Sequence, residues 1–317
     1  MSIEATQFTS ASLPEAERRE AGRIAQGITA AVVKGLLHRA DPKAFAISAD
    51  VDTLENQAAA AVRSIDAQTF EHMRPKLQQL AADTAKVQKL TGVAVPELKK
   101  SNAIIFKPAA LPQGAVPRSG SAPQKYRRLD LNLRKLHCVD ETNGGVFSPE
   151  DGTDDMVLGA IRIGASGNVD YTKAIVAGEF AHDNTYRNFG ELPFGSVSLR
   201  TTPGYPKTFY WIFQLVESDS DDAEVAAGIT SALRTVVTMV AGMVGGAGIG
   251  AIAGAVVDAI GMIIGLFIDD DVFSPYGVAI RLNSENDLGS DGVRDEHTGN
   301  ISAHGGTYRI GYRLRLV

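Results

Sequence analysis

Side chains able to do covalent or metal chemistry are few in this chain. Cys138 is the sole cysteine, and six histidines are spread over 317 residues. His137 directly precedes Cys138, so on a strand the two point to opposite faces and cannot form a dyad. A thiol and imidazole pair would need His182 or His297, and the plainer expectation is a buried cysteine in a strand. His182 has only Glu179 and Asp183 as acidic neighbours, too little to define a metal site. Carboxylates are more abundant: SPEDGTDD carries Glu150, Asp151, Asp154 and Asp155, ESDSDD fills 217–222, and Asp269, Asp270 and Asp271 follow further on. Such oxygens hold hard cations such as calcium when loops bring them together. No EF-hand spacing is present, which favours solvated loops and helix caps. Their other expected role is pH sensing, because neutralising them lowers the cost of moving an adjoining apolar segment toward an anionic membrane.

Motifs for hydrolysis and for nucleotide binding are missing. HExxH, GxSxG and GxxxxGK[ST] do not occur, and GAGIGAIAG matches GxGxxG poorly with no strand before it. The sequence therefore predicts no enzyme, no cofactor and no metal.

The feature that narrows function is apolar. Thr235 to Val257 is 23 residues without a charge, and after Asp258 the run resumes until Asp269. About 20 apolar residues suffice to cross a bilayer as a helix. The acidic run ESDSDD suits a helix N-terminus, and GGAGIG offers a turn, so residues 223–268 are predicted to form a helical hairpin. Gly242, Gly246, Gly250 and Gly254 fall four apart, and Gly261 and Gly265 repeat the spacing seven residues later. On a helix this makes a groove along which a second backbone can approach, the small-xxx-small pattern of helix association in lipid. Glycine costs about 1 kcal/mol per helical position against alanine, so six in register imply a packing role. Past Glu224 at its start, Arg234 and Asp258 are the hairpin's charges, and the sequence leaves them to pair with each other or to face a water-filled lumen. The hairpin resembles those of pore-forming colicins and similar toxins as a physical type, without a shared motif.

The surrounding elements must carry this segment. From Pro14 to about Leu90 apolar residues recur at helical spacing, Ile24, Ile28, Val32 and Leu36 first, then Leu54, Ala58, Val62 and Ile65, with Pro75 expected to break the run Met73, Leu77, Leu80. Residues 107–125, with four prolines, read as a linker. Between Lys99 and Lys135 nine basic residues face one acid, a run that is either solvated linker or able to dock on an anionic surface. Beyond it the period becomes 2. Leu129, Leu131 and Leu133 alternate with polar residues, and the phase slips before Leu136 and Cys138, which predicts a bulge. Strands are expected at 156–163, 207–217, 277–282 and the C-terminus.

The expected fold class is α+β: a helical domain over 1–106, a linker over 107–125, and an antiparallel β-sandwich over 126–317 carrying the helical hairpin as an insertion at about 223–268. The first 20 residues lack a basic region followed by an apolar stretch, so synthesis in the cytoplasm without an ordinary secretory signal is expected, with delivery outside by a dedicated secretion machine. A net charge of -6 argues against a nucleic-acid partner. Together these features predict a soluble effector or toxin that inserts the hairpin into a lipid membrane and forms a homo-oligomer there. The alternative is a structural or interaction module with the hairpin buried in the fold or in an oligomer interface.

Overall fold

The computed structural model describes residues 4–51, 53–101, 104, 126–141, 153–201, 204–219, 221–241, 248–268, 270–289 and 291–317. The linker at 107–125, Glu150, Asp151, Gly242, Gly246 and Asp269 lie outside the described residues. The chain is mixed α+β, with seven α-helices and eleven strands in two antiparallel sheets among those residues. It divides into two compact units. One comprises Met1–Thr9, Gln113–Ala226 and Asp270–Val317, the other Ser10–Pro112 and Ala227–Asp269. The helical unit thus contains most of the apolar hairpin, and the sheet unit recruits the first residues of the chain.

In the helical unit, α1 (Glu15–Ala40) buries Ile24, Ile28, Val32 and Leu36, the stripe that its spacing predicts. Thr53, Asp66 and Asp83 cap the next three helices, α2 (Leu54–Arg63), α3 (Ala67–Ala82) and α4 (Thr84–Thr91), each accepting a hydrogen bond from the backbone N–H three residues on. Gly92, at φ 67°, ends α4. A short α5 (Val95–Leu98) follows. Helix α3 runs through Pro75 instead of breaking there, with Phe70, Met73, Leu77 and Leu80 all buried. Tertiary packing of that stripe outweighs one lost backbone bond.

At Gly35 a side chain's Cβ would lie 3.2 Å from the Ala58 backbone, so α2 crosses α1 closely where a side chain is missing. Beside this crossing lies a fully buried ion pair, Lys34 Nζ to Glu55 Oε1 at 2.6 Å. Lys34 also donates to the Lys100 carbonyl at 2.5 Å, and Glu55 accepts from the backbone N–H groups of Ile104 and Ser48. The pair therefore ties α1 and α2 to two connecting segments, with its remaining polar valences filled.

In the sheet unit the six-stranded sheet has the order β1 (Glu4–Phe8), β8 (Tyr276–Leu282), β6 (Lys207–Ser218), β3 (Asp154–Ile163), β4 (Val169–Phe180), with β7 (Asp271–Val272) paired to the end of β6. The five-stranded sheet has the order β10 (Ile301–Ala303), β11 (Gly306–Leu316), β2 (Arg128–Asp140), β5 (Thr185–Ser198), with β9 (Val293–His297) on β11. The four expected strands are β3, β6, β8 and β11. The bulge is at Arg134: Leu133 pairs with Tyr312 and Lys135 with Gly311, leaving one residue over. That extra residue returns Leu136 and Cys138 to the inner face beside Leu129, Leu131 and Leu133.

Side chains from the two sheets build one apolar cluster, Phe209, Trp211, Phe213 and Leu215 from β6 meeting Tyr308, Ile310, Tyr312 and Leu314 from β11. Ring contacts join Phe213 to Tyr312 and Phe273 to Tyr308. β4 and β5 are not predicted from the sequence, because few of their residues are buried and the apolar alternation is weak. The turn between them places Asn184 at φ 57°, a conformation asparagine tolerates.

Candidate functional site: the apolar hairpin and its acidic base

Helix α6 (Asp222–Ala241) and helix α7 (Ile249–Phe267) are separate elements. Gly248 stands in an extended conformation ahead of α7, which excludes one straight helix through the segment. Their 20 and 19 residues correspond to about 30 Å each. Both are long and apolar enough to cross a membrane by length and composition, and more than half of the most apolar stretch of each is buried.

Packing of α7 is specific. It lies against α1, with Ala251, Ala255, Val256, Ala259, Ile260 and Ile263 essentially inaccessible to solvent. A Cβ on Gly254 would come within 2.8 Å of Leu13 Cδ1 and 3.0 Å of Ala21 Cβ, so any side chain here makes these neighbours give way. Asp258, one turn on, accepts a hydrogen bond of 2.8 Å from Ser10 Oγ. Arg234 is half-buried on α6. The far end of α7 is held by Lys76 of α3, whose Nζ donates to the Ile268 carbonyl at 2.6 Å. Such a cation complements a helix C-terminus.

The four described glycines of the stripe do not share one environment. Gly250 is half-buried and Gly254 is covered, whereas Gly261 and Gly265 are exposed. Nothing lies within 4 Å of a Cβ built on Gly265, which opens onto a cavity of about 320 Å³ lined also by Lys76, Leu80 and Lys86. The stripe is therefore occupied by α1 at one end and vacant at the other.

The base of the hairpin is in the sheet unit. Val216 and Glu217 of β6 pair with Val272 and Asp271 of β7, which brings the chain entering α6 beside the chain leaving α7. Asp219 N–H donates to Asp270 Oδ1 at 3.1 Å, and Gln214 Nε2 donates to the Phe273 carbonyl at 2.8 Å. Around this staple carboxylates converge. Glu217, 4% exposed, has no partner for Oε2, and Asp155 and Asp222 each bury an oxygen without one. Burial first, then the charges of Asp219, Asp154, Asp271 and Asp270, push the Glu217 carboxyl up to about 8. Asp155 is raised by burial first, then by the charges of Asp222, Glu179 and Asp154. His304 Nδ1 lies 3.3 Å from Asp271 Oδ1. Among the described residues no group of three or more His, Cys, Asp or Glu is placed to hold a metal ion.

Cys138 is fully buried, and burial pushes its thiol up to about 11, which removes the thiolate a nucleophile needs. Its neighbour Tyr308 donates to Asp154. Sequence reasoning flagged the acidic runs but not Glu217 as the buried member. The available signal was its phase, since Glu217 continues the inward alternation of Phe209, Trp211, Phe213 and Leu215. Ser10 as the partner of Asp258 had no sequence signal. Comparison of the chain with family models and with curated proteins finds no match.

Proposed function

We propose that this protein is a non-enzymatic, membrane-inserting effector, pore-forming or membrane-perturbing, whose soluble form stores the α6–α7 hairpin against α1. The observation that carries this reading is the combination at the hairpin: two helices of membrane-spanning length whose outer ends are stapled side by side through β6 and β7. A hairpin so tethered enters a bilayer from one face, with its charged ends left in water. The two sheets read as the expected β-sandwich, since they share one apolar core, and in this reading they stay folded while α7 leaves α1. The vacant Gly261 and Gly265 surface is the seam for self-association in lipid.

Dye release from liposomes tests this. Release by the wild-type chain at neutral or acidic pH, reduced by Gly265→Leu, is the expected result. A Cβ at that position has no atom within 4 Å in the soluble fold. No release under either condition overturns the proposal. A second reading, a structural or interaction module, is favoured by the deep burial of α7; it predicts no release together with α7 amides protected from hydrogen exchange whether or not lipid is present.

A further inference from the structure

The five-stranded sheet turns one face to the apolar core and the other to solvent, and the charge on the solvent face is unevenly paired. Toward one end Arg313 is bound by Asp295 at 2.6 Å and by Glu191, and Arg134 lies 3.5 Å from Glu191. Further along, Lys135, His137 and Arg309 make no ion pair among the described residues, although Lys135 lines a shallow pocket with Asp295 and Glu296. In the ladder Tyr186 of β5, His137 of β2 and Arg309 of β11 stand in direct cross-strand register, with Lys135 two residues along β2 on the same face.

Lys135, His137 and Tyr186 form a connected group, with Arg309 beside it in register. The His137 and Tyr186 rings stack with centroids 4.1 Å apart, and Lys135 Nζ lies 4.8 Å from the Tyr186 centroid. Arg309 Nε donates to Asn300 Oδ1 at 2.6 Å, so its planar head is fixed by a neutral partner. Gly311 makes room for Lys135, whose Cγ would be 2.8 Å from a Cβ there. Tyr186 is 51% exposed, one of the few large apolar surfaces open to water among the described residues. His137 Nε2 has no hydrogen-bond partner. Burial, then Arg309 and Lys135, hold this imidazole below its ordinary value, so the charges it senses are positive.

We infer that this face, centred on Lys135, His137, Arg309 and Tyr186, docks the protein on an anionic lipid surface, the phosphates of the headgroups meeting Lys135 and Arg309 while Tyr186 sits at the interface. The occupant follows from charge complementarity in a chain whose net charge is -6: a small cationic patch suits a sheet of separate headgroups, whereas a nucleic acid demands a long basic track. Tyrosine, with an apolar ring and a polar tip, is the side chain favoured at the membrane–water boundary. The inference rests on the membrane reading above and names the surface that makes first contact.

Flotation with vesicles of equal parts phosphatidylcholine and phosphatidylglycerol, against phosphatidylcholine alone, is the test. The wild-type chain is expected to float with the anionic vesicles and to detach as salt rises. K135Q/R309Q should weaken that binding about thirtyfold, from the loss of two interfacial cations, and Y186S should weaken it further. K43E/K89E, which changes net charge by twice as much at exposed sites elsewhere, should bind within a few-fold of wild type. Circular dichroism of each variant confirms that it is folded. Equal binding by K135Q/R309Q and wild type overturns the inference, as does capture by heparin or RNA without flotation. Loss of dye release with flotation intact counts against the hairpin reading alone, and dye release that survives in a K135Q/R309Q protein with unchanged flotation counts against the docking face alone.

Discussion

A buried carboxylate without a partner has a measurable sign. Glu217 holds its proton up to about 8 in the folded protein but only to about 4.3 when unfolded. Between those values the folded state carries a proton that the unfolded chain has lost, so the contribution of Glu217 to stability is complete below about 4.3 and is lost as pH rises through about 8. Thermal unfolding should therefore occur at a lower temperature at pH 9 than at pH 6, and Glu217→Gln should flatten that difference, of the order of a few kcal/mol. A wild-type profile with no loss toward alkaline pH removes this role. The direction also bears on the trigger. With the Glu217 carboxyl pushed up to about 8, an acid-driven trigger falls to other carboxylates, such as Asp155 and Asp258, both raised chiefly by burial. A second residue-scale prediction concerns Lys34 and Glu55. Glu55→Ala leaves a buried ammonium unpaired and should cost about 3–5 kcal/mol in urea unfolding, while Lys34→Met with Glu55→Leu should recover most of it. Neither pair nor proton was legible in the sequence: Lys34 and Glu55 are 21 positions apart, and nothing in their local pattern separates them from solvated charges. Cys138, by contrast, was readable as a strand cysteine from its phase alone.

Elements were legible where one period ran unbroken. The stripe of α1 and the alternation of β2 and β11 predicted both the elements and their buried faces, and the slip before Leu136 located the bulge at Arg134. Pro75 misled because helix propensity is local while the Phe70 to Leu80 stripe is held by the rest of the unit. The glycine stripe was legible as a pattern, but which glycines are covered depends on α1, far away in sequence. That difference yields opposite signs on one helix. Gly265→Ala enters open space and should stabilise the helical unit by about 1 kcal/mol through helix propensity. Gly254→Leu drives a side chain into Leu13 and Ala21 and should destabilise it by about 1–3 kcal/mol. Urea midpoints measured side by side decide the matter. Equal shifts at the two positions would mean that α7 does not pack against α1 as described.

At the scale of the molecule, the chain that carries the hairpin and the helices that cover it are different parts of the sequence. The ends of the hairpin are stapled in the sheet unit by β6 and β7, whereas its apolar length packs in the helical unit. Connectivity in the sequence identified the first relation and could not supply the second, because a period of 3.6 reports that a face is apolar and not which partner buries it. In the proposed membrane reading, release of α7 from α1 is the step on which activity depends, and that step can be blocked by a single bond. The Ala21 Cβ lies 3.0 Å from where a Gly254 Cβ would stand, close to the roughly 3.5–4.5 Å span of a disulfide, so cysteines at these two positions need only a small relaxation to cross-link. Cys138 is buried and does not compete. The oxidised Ala21→Cys, Gly254→Cys protein should remain soluble and bind anionic vesicles, but release no dye. A reductant should restore release to the level of the reduced double variant. If the oxidised protein permeabilises vesicles as well as the reduced one, α7 does not leave α1 and the hairpin is structural. If oxidation abolishes release reversibly while docking persists, attachment through the sheet and insertion through the hairpin are separate steps of one process.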